Sequence, residues 1–410
     1  MSEVANIPQL RFSEFSGEWE EKKLGELCKF TQGVQIPFSE QLTKYKEGAI
    51  RYLYIRDFFT DDFPYYVKDQ YPNKVIHTDE IMMVNTGNTA GKAFMGATGV
   101  LSNNAFKVSF DKTKVSNIFL FQRITSDTIQ RRIKSFFNAG GQPHLGHKNI
   151  AIIPMGFASL KEQQKIAAFL TAVDNKIEQL SKKKALLGEY KKGLMQQIFS
   201  QAIRFKANDG SDFPDWEEKK LGDLSVVISD GNYGELYPTS SDFKLTGVPF
   251  LRANNIKSLK IDGTDTKYIT EEQHSLLTSG HLQTNDILIT TRGVLGNLAI
   301  VESTHNGSNI NAQICLLRVT NTSELNHFYL LFVLDHRDSK KQYKAFETGT
   351  ALKQLPKGNL RKIKLKLPTL FEQNKIANFL SSIDTKIEQV GKQLRESKQF
   401  KKALLQQMFV

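Results

Sequence analysis

The sequence predicts an α+β chain in which two homologous globular domains are separated by two long antiparallel coiled-coil helices, a pseudo-twofold internal repeat. Three observations predict it. The 410-residue chain is written twice. The tail of each copy repeats apolar residues at coiled-coil spacing, and the head of each copy mixes short β-branched runs with turn residues and a helical stretch. The boundaries that follow are 1–157 for the first globular domain, 158–200 for the central helix, 201–367 for the second domain and 368–410 for the C-terminal helix.

The duplication is read directly from the residues. Trp19-Glu20-Glu21-Lys22-Lys23-Leu24-Gly25-Glu26-Leu27 returns as Trp216-Glu217-Glu218-Lys219-Lys220-Leu221-Gly222-Asp223-Leu224. Residues 162–180 align without a gap on residues 372–390, with 12 of 19 positions identical. The register holds through Lys191-Lys192-Gly193-Leu194-Met195-Gln196-Gln197 and Lys401-Lys402-Ala403-Leu404-Leu405-Gln406-Gln407. Between these anchors a skeleton survives: Glu80-Ile81-Met82-Met83 answers Asp286-Ile287-Leu288-Ile289, and Asn104-Ala105 answers Asn311-Ala312. One scaffold with different side chains is what two readers of different targets require.

Within the globular parts, Val248–Arg252, Asp286–Thr291 and Ile314–Val319 read as strands, while Asn117–Phe137 and Leu325–Phe346 carry helical periodicity. Pro154 and Pro368 are expected to close each domain and start each helix, because proline cannot continue a ladder but suits a helix N-terminus. Apolar residues then recur at Ile166, Leu170, Val173, Ile177, Leu180, Leu187, Leu194 and Ile198, and at Ile376, Leu380, Ile383, Ile387, Val390, Leu394, Leu404 and Met408. That is an a/d seam over about five heptads. Lys184, Lys191, Ser397 and Lys401 interrupt it, either to set register or to admit another partner. About 40 helical residues span roughly 60 Å, enough to hold two domains apart on DNA or to dimerise the chain.

The chain carries 55 Lys+Arg against 43 Asp+Glu, a formal charge of +12 and a pI near 9.3. Such a balance fits a polyanionic partner, since neutralised phosphates supply sequence-independent DNA affinity. Cys28 and Cys315 are too few and too distant for a disulfide framework or a zinc site, which fits a reducing cytosol. The opening MSEVANIPQLRF has no apolar core, and no apolar run reaches the ~18 residues of a membrane span, so a soluble, cytoplasmic protein is expected. There is no phosphate-binding P-loop and no His-Glu-x-x-His zinc motif. Asp62-Phe63-Pro64-Tyr65 lacks the second proline and the Gly-rich loop that adenine methylation needs. No catalytic residues, no metal and no cofactor are expected in this chain.

Direct readout of bases uses Arg or Lys for guanine and Asn or Gln for adenine. The first domain offers Asn85, Thr86, Asn88, Lys92, Asn104, Gln142 and His144, the last two in the loop Gly140-Gly141-Gln142-Pro143-His144. The second offers Arg252, Asn254, Thr291, Arg292, Asn297, Asn311, Gln313 and Lys353. Arg131-Arg132 and Arg361-Lys362, with Lys364 and Lys366, suit phosphates, which position a protein without specifying sequence.

The paired Trp-Glu heads, the Asp286-Ile287-Leu288-Ile289-Thr290-Thr291-Arg292-Gly293 run and the two Glu-Gln-x-Lys-Ile-Ala-x-Phe-Leu helix starts at 162 and 372 together resemble the specificity subunits of type I restriction–modification enzymes. The resemblance covers the whole chain. It implies that each target-recognition domain reads one half of a bipartite, asymmetric target on double-stranded DNA, with the helices measuring the gap. It also implies partners: two modification (methyltransferase) subunits and restriction (translocase/nuclease) subunits, which would carry S-adenosylmethionine, ATP and Mg. The first copy has Asn85-Thr86-Gly87 where the second has Thr291-Arg292-Gly293, implying a different half-site. A stand-alone bipartite DNA-binding protein with a self-associating coiled coil is the alternative.

Overall fold

The computed structural model describes residues 6–137, 141–234 and 237–410; Gly140 of the polar loop lies outside the described residues. The chain divides into two units, Met1–Lys182 with Gly391–Val410, and Lys183–Val390. Each unit therefore holds one globular part, the first half of one long helix and the second half of the other.

In the first unit, β1 (Glu20–Lys23), α1 (Leu24–Leu27) and β2 (Cys28–Gln32) follow the repeat head. β3 (Ala49–Leu53), β4 (Tyr65–Lys68), β5 (Val75–Ile76), β6 (Ile81–Val84), β7 (Ala93–Phe94), β8 (Gly99–Leu101) and β9 (Ala105–Phe110) come next. α2 (Asn117–Thr125), α3 (Asp127–Lys134), α4 (His147–Ala151) and β10 (Pro154–Phe157) lead into α5 (Leu160–Phe199). The second unit repeats this plan. It has β11 (Glu217–Lys220), β12 (Val226–Asp230), β13 (Val248–Leu251), β14 (Ile256–Lys257), β15 (Lys260–Ile261) and β16 (Lys267–Ile269). α6 (Glu271–Leu276) precedes β17 (Ile287–Thr290), β18 (Leu298–Ile300), β19 (Asn309–Ile310) and β20 (Ile314–Val319). α7 (His327–Asp335), α8 (Arg337–Phe346), α9 (Lys357–Leu360), β21 (Lys364–Leu367) and α10 (Leu370–Gln407) close the chain.

The central sheets run β2-β9-β6-β7 and β12-β20-β17-β18, all pairs antiparallel. The uninterrupted apolar run of β6 is explained by burial on both faces. Ile81 and Met83 enter the core with Phe106, Phe119 and Ile133, while Met82 and Val84 pack against Leu53, Ile76 and Leu101 of the neighbouring sheet β4-β3-β8-β5. β17 repeats this, with Ile287 and Ile289 facing the helices and Leu288 facing Leu251 and Ile310. Strands covered on both sides lose the polar alternation that marks a half-exposed sheet.

Three sequence expectations are corrected. Each of the two helical stretches is a pair of helices, broken where Ser126 (ψ 148°) and His336 (ψ 151°) adopt extended backbone. Pro154 does not start a helix: it is the first residue of β10, paired with Lys23, and its counterpart is Lys364, paired with Lys220. Pro368 lies just beyond β21, and the long helices start at Leu160 and Leu370. Finally, Asn104 answers Gln313 rather than Asn311, a shift of two. Thr291 N bonds Gln313 O as Asn85 N bonds Asn104 O, and Asn311 N bonds Leu251 O as Ser102 N bonds Leu53 O.

The Glu-Gln pair shared by both helix starts is a clamp. Glu162, 1% exposed, receives Arg11 through Nε at 2.7 Å and Nη2 at 2.8 Å. Glu372, 0% exposed, receives Arg204 at 3.2 and 2.8 Å, and the indole of Trp216 at 3.0 Å. Gln163 donates to Lys114 O and Ala158 O and accepts from Ser116 N. Gln373 repeats this with Glu324 O, Pro368 O and Asn326 N. Head, helix start and the loop before α2 or α7 are thus tied at one point in each unit.

Within each unit the two helix halves run antiparallel. Ile166 and Leu170 share a core with Leu404 and Met408 in the first, and Met195 and Ile198 share one with Ile376 and Leu380 in the second. The seam is not apolar throughout: Ile177 and Leu187 are half-buried and Lys184 is exposed. Two of its polar positions pair across it. Lys191 reaches Asp384 at 2.7 Å, and Lys401 reaches Asp174 at 2.6 Å. Residues 191 and 401, like 174 and 384, are equivalent in the two copies, so one ion pair is made twice and fixes register. Among the described residues no helix is long and apolar enough to cross a membrane. Cys28 and Cys315 are buried and unpaired, and burial pushes the Cys28 thiol up to about 12.

Candidate nucleic-acid interface

In an antiparallel sheet the end of β2, the start of β9 and the end of β6 fall at one edge, and the segments leaving that edge form the candidate site. Gly33 N bonds Ala105 O, Asn85 N bonds Asn104 O, Leu145 N bonds Asn85 O and Gly87 N bonds Pro143 O, all within 3.0 Å. The second unit repeats all four: Gly231 N to Ile314 O, Thr291 N to Gln313 O, Leu355 N to Thr291 O and Gly293 N to Lys353 O. Four loops are therefore bound into one platform by backbone bonds, which leaves the side chains free to differ. Gly33 and Gly231 are required here, because a Cβ would lie 2.0 Å from Ser102 O or 2.1 Å from Asn311 O.

The two platforms carry different chemistry. In the first unit, Gln32 donates to Ala105 O at 3.1 Å and accepts from Asn85 Nδ2 at 3.2 Å. Thr86 donates to Asn85 Oδ1 and shares a 3.1 Å hydrogen bond with His144 Nδ1. Asn88, Lys92, Asn104, Gln142 and His144 are exposed around this neutral amide network. In the second unit, Asn311 donates to Gln313 Oε1 and accepts from Gln313 N, both at 3.1 Å, so the buried Asn311 orients the exposed Gln313. The Arg292 guanidinium lies 4.9 Å over the ring of Tyr233, whose hydroxyl donates to Ala312 O. Partial desolvation and the nearby Asp230 push the half-exposed Tyr233 phenol above its ordinary value. Gln354 joins through a backbone bridge to Arg292.

The platform brings together Asn85, Thr86, Asn104 and His144, with Gln142 beside Gly87, and in the second unit Thr291, Arg292, Asn311 and Gln313. Arg252 and Asn254 are turned to Asp265, at 2.6 and 3.2 Å. The Lys353 ammonium grips Glu347 at 2.6 Å, and Asn297 lines a groove of about 590 Å³ with Tyr343, Lys340 and Lys344. Of the expected phosphate contacts, Arg132 bonds Pro154 O and Lys364 bonds Glu218. Sequence reasoning passed over Gln32 and Tyr233. Gln32 immediately precedes Gly33 after β2, and Tyr233 follows Gly231 by two residues after β12; the two glycines lie 14 and 15 residues beyond the Trp of each repeat head.

The strand-edge carboxylate of Asp286 is 1% exposed and held by Arg318 through two 2.7 Å bonds, so it is a structural anion. Among the described residues no three His, Cys, Asp or Glu side chains cluster as metal ligands do.

Comparison with known proteins places this architecture. The chain is 26% identical over 402 residues to the MjaVIII type I restriction enzyme specificity subunit of Methanocaldococcus jannaschii, covering 95% of this chain and 91% of that one. Its fold is similar to the crystal structure of a type I restriction-modification S subunit from M. genitalium, with a TM-score of 0.64, 16% identity, and coverage of 98% and 99%. It is also similar to a chain from a structure describing complex assembly of a type I restriction-modification system, with a TM-score of 0.55, 18% identity, and coverage of 94% and 96%. The family model for the type I restriction modification DNA specificity domain matches twice, at residues 16–188 and 214–396. With two copies of that domain across most of its length, the chain belongs to the type I restriction-modification DNA specificity family and is a specificity subunit with two target-recognition domains.

Proposed function

We propose that each domain reads one half of a bipartite, asymmetric DNA target, that the helices set the spacer, and that they dock the modification subunits whose chemistry this chain lacks. In that division of labour, S-adenosylmethionine, ATP and Mg belong to partner subunits and the present chain contributes recognition only. The observation that carries the reading is the pair of platforms: the same four backbone bonds hold Gln32, Asn85, Thr86 and Asn104 in one unit and Tyr233, Thr291, Arg292 and Gln313 in the other. A common skeleton with unlike donors and acceptors is what discrimination between two base sequences requires. Helices of 40 and 38 residues supply the length for a spacer.

The test is a methylome. The chain is co-expressed with its modification subunits in a host lacking the system, and adenine methylation is mapped by single-molecule sequencing. A gapped two-part motif that vanishes without this chain is expected. Exchanging residues 208–366 for another such domain should change one half-site, and inserting about four residues between 200 and 207 should change the gap alone. If either change alters both half-sites, the two-reader division is wrong. A soluble complex that methylates nothing, with the isolated chain binding one sequence tightly, would favour a stand-alone binder.

A further inference from the structure

We infer that the second domain reads a guanine in its half-site through Arg292, with Tyr233 as the positioning residue, and that the first domain makes no equivalent contact. This rests on the reading that each platform binds one half-site.

Thr291 is 5% exposed, with its N–H on Gln313 O and its carbonyl on Leu355 N. Gly293, at φ +78°, turns the chain away, and a bridge to Gln354 fixes Arg292 itself. The side chain thus leaves from a rigid post. Beneath it, Tyr233 follows Asn232, which is 3% exposed and locked by Asn309 Oδ1 at 2.7 Å and Ser279 O at 2.6 Å. The Tyr233 ring lies 4.9 Å from the guanidinium carbon and engages one face of the group, a cation–π contact that does not use its planar N–H edge. Arg204, Arg252 and Arg318 of the same unit each grip a carboxylate, whereas Arg292 grips none among the described residues. A pre-positioned fork loses little side-chain entropy on binding.

The chemistry selects the ligand. Guanine presents O6 and N7 as two adjacent acceptors in the major groove, the planar pair that a guanidinium fork matches. The neighbouring Gln313, oriented by Asn311, supplies an amide for an adjacent base. At the same place in the first unit stands Thr86, bonded to His144, which has no fork to offer.

The experiment maps methylation by the complex carrying the wild-type chain, Arg292→Ala, Arg292→Lys, Tyr233→Phe or Tyr233→Ala. The wild-type motif should contain a guanine that becomes degenerate in Arg292→Ala, with about 10- to 100-fold less discrimination at that position alone. Arg292→Lys should lose part of the same selectivity, because an ammonium can still donate to guanine but lacks the pre-organised planar fork and its cation–π fit over Tyr233. Tyr233→Phe should retain it and Tyr233→Ala should relax it in part at that guanine alone, whereas a merely structural tyrosine would weaken methylation without changing the base preference. An Arg292→Ala complex that keeps its motif but methylates every site more weakly would mean a phosphate contact and overturn the inference. Relaxation at a base other than guanine would overturn it too. A wild-type complex with no gapped motif overturns the two-reader proposal as well as this one.

Discussion

The clamp at Glu372 gives the sharpest stability test. Its carboxylate is 0% exposed and accepts two bonds from Arg204 and one from Trp216. Arg204→Met keeps much of the packing but leaves a buried charge with one donor, which costs about 3–5 kcal/mol. For a unit the size of Lys183–Val390, each kcal/mol lowers the unfolding midpoint by roughly 2–4 °C, so a fall of about 6–20 °C is expected. The double change Arg204→Met with Glu372→Gln removes the orphaned charge while keeping an acceptor for Trp216, and should recover more than half of the loss. Thermal unfolding followed by circular dichroism and calorimetry reads both. A single variant that shifts the midpoint by less than about 2 °C, or a double variant no better than the single, would refute the clamp as a buried-charge anchor.

Other consequences follow from the same geometry. Gly231→Ala places a methyl 2.1 Å from Asn311 O, so the platform must open at a cost of about 1–3 kcal/mol, and the methylome should lose stringency in one half-site; Gly33→Ala should do the same to the other. Asp384→Ala strands the Lys191 ammonium, whose side chain is 11% exposed, over the Phe332 ring; with Asp384 itself 37% exposed, about 1–2 kcal/mol is expected by urea denaturation, and Lys191→Met should cost less. Burial pushes His147, His274, His305, His327 and His336 below their ordinary value of 6.5. The unfolded chain therefore binds protons first, so stability is full above about pH 6.5 and falls as the pH drops below it. Midpoints measured between about pH 8 and 5.5 should decline, and His336→Asn, which keeps an acceptor for the α8 N-terminus, should flatten the decline.

Sequence periodicity alone was sufficient for the long helices, because a seam held over many turns has few competing explanations. It failed at Ser126 and His336, where apolar spacing continues across the break and only the extended backbone of one residue ends the helix. The correspondence of Asn104 with Gln313 was also hidden. Asn-Ala occurs at 104–105 and at 311–312, so letter matching favoured the wrong register, and only the ladder hydrogen bonds decide it.

The candidate site divides in the same way. The polar, Gly-bearing loops after β6 and β17 were legible because short strands end in turn residues of recognisable chemistry. Arg252 and Arg292 were indistinguishable as letters, yet one is bound to Asp265 and the other is stacked on Tyr233. Gln32 ends β2 and Tyr233 lies three residues beyond β12, far from those loops in sequence, and the antiparallel pairing of these strands brings both to the same edge. The sequence by itself determined the duplication, the helix seam and the family, since these rest on local order and on the repetition of residues along the chain. Which side chains face outward together was decided only by the tertiary structure, because exposure and pairing depend on long-range contacts that no local window contains.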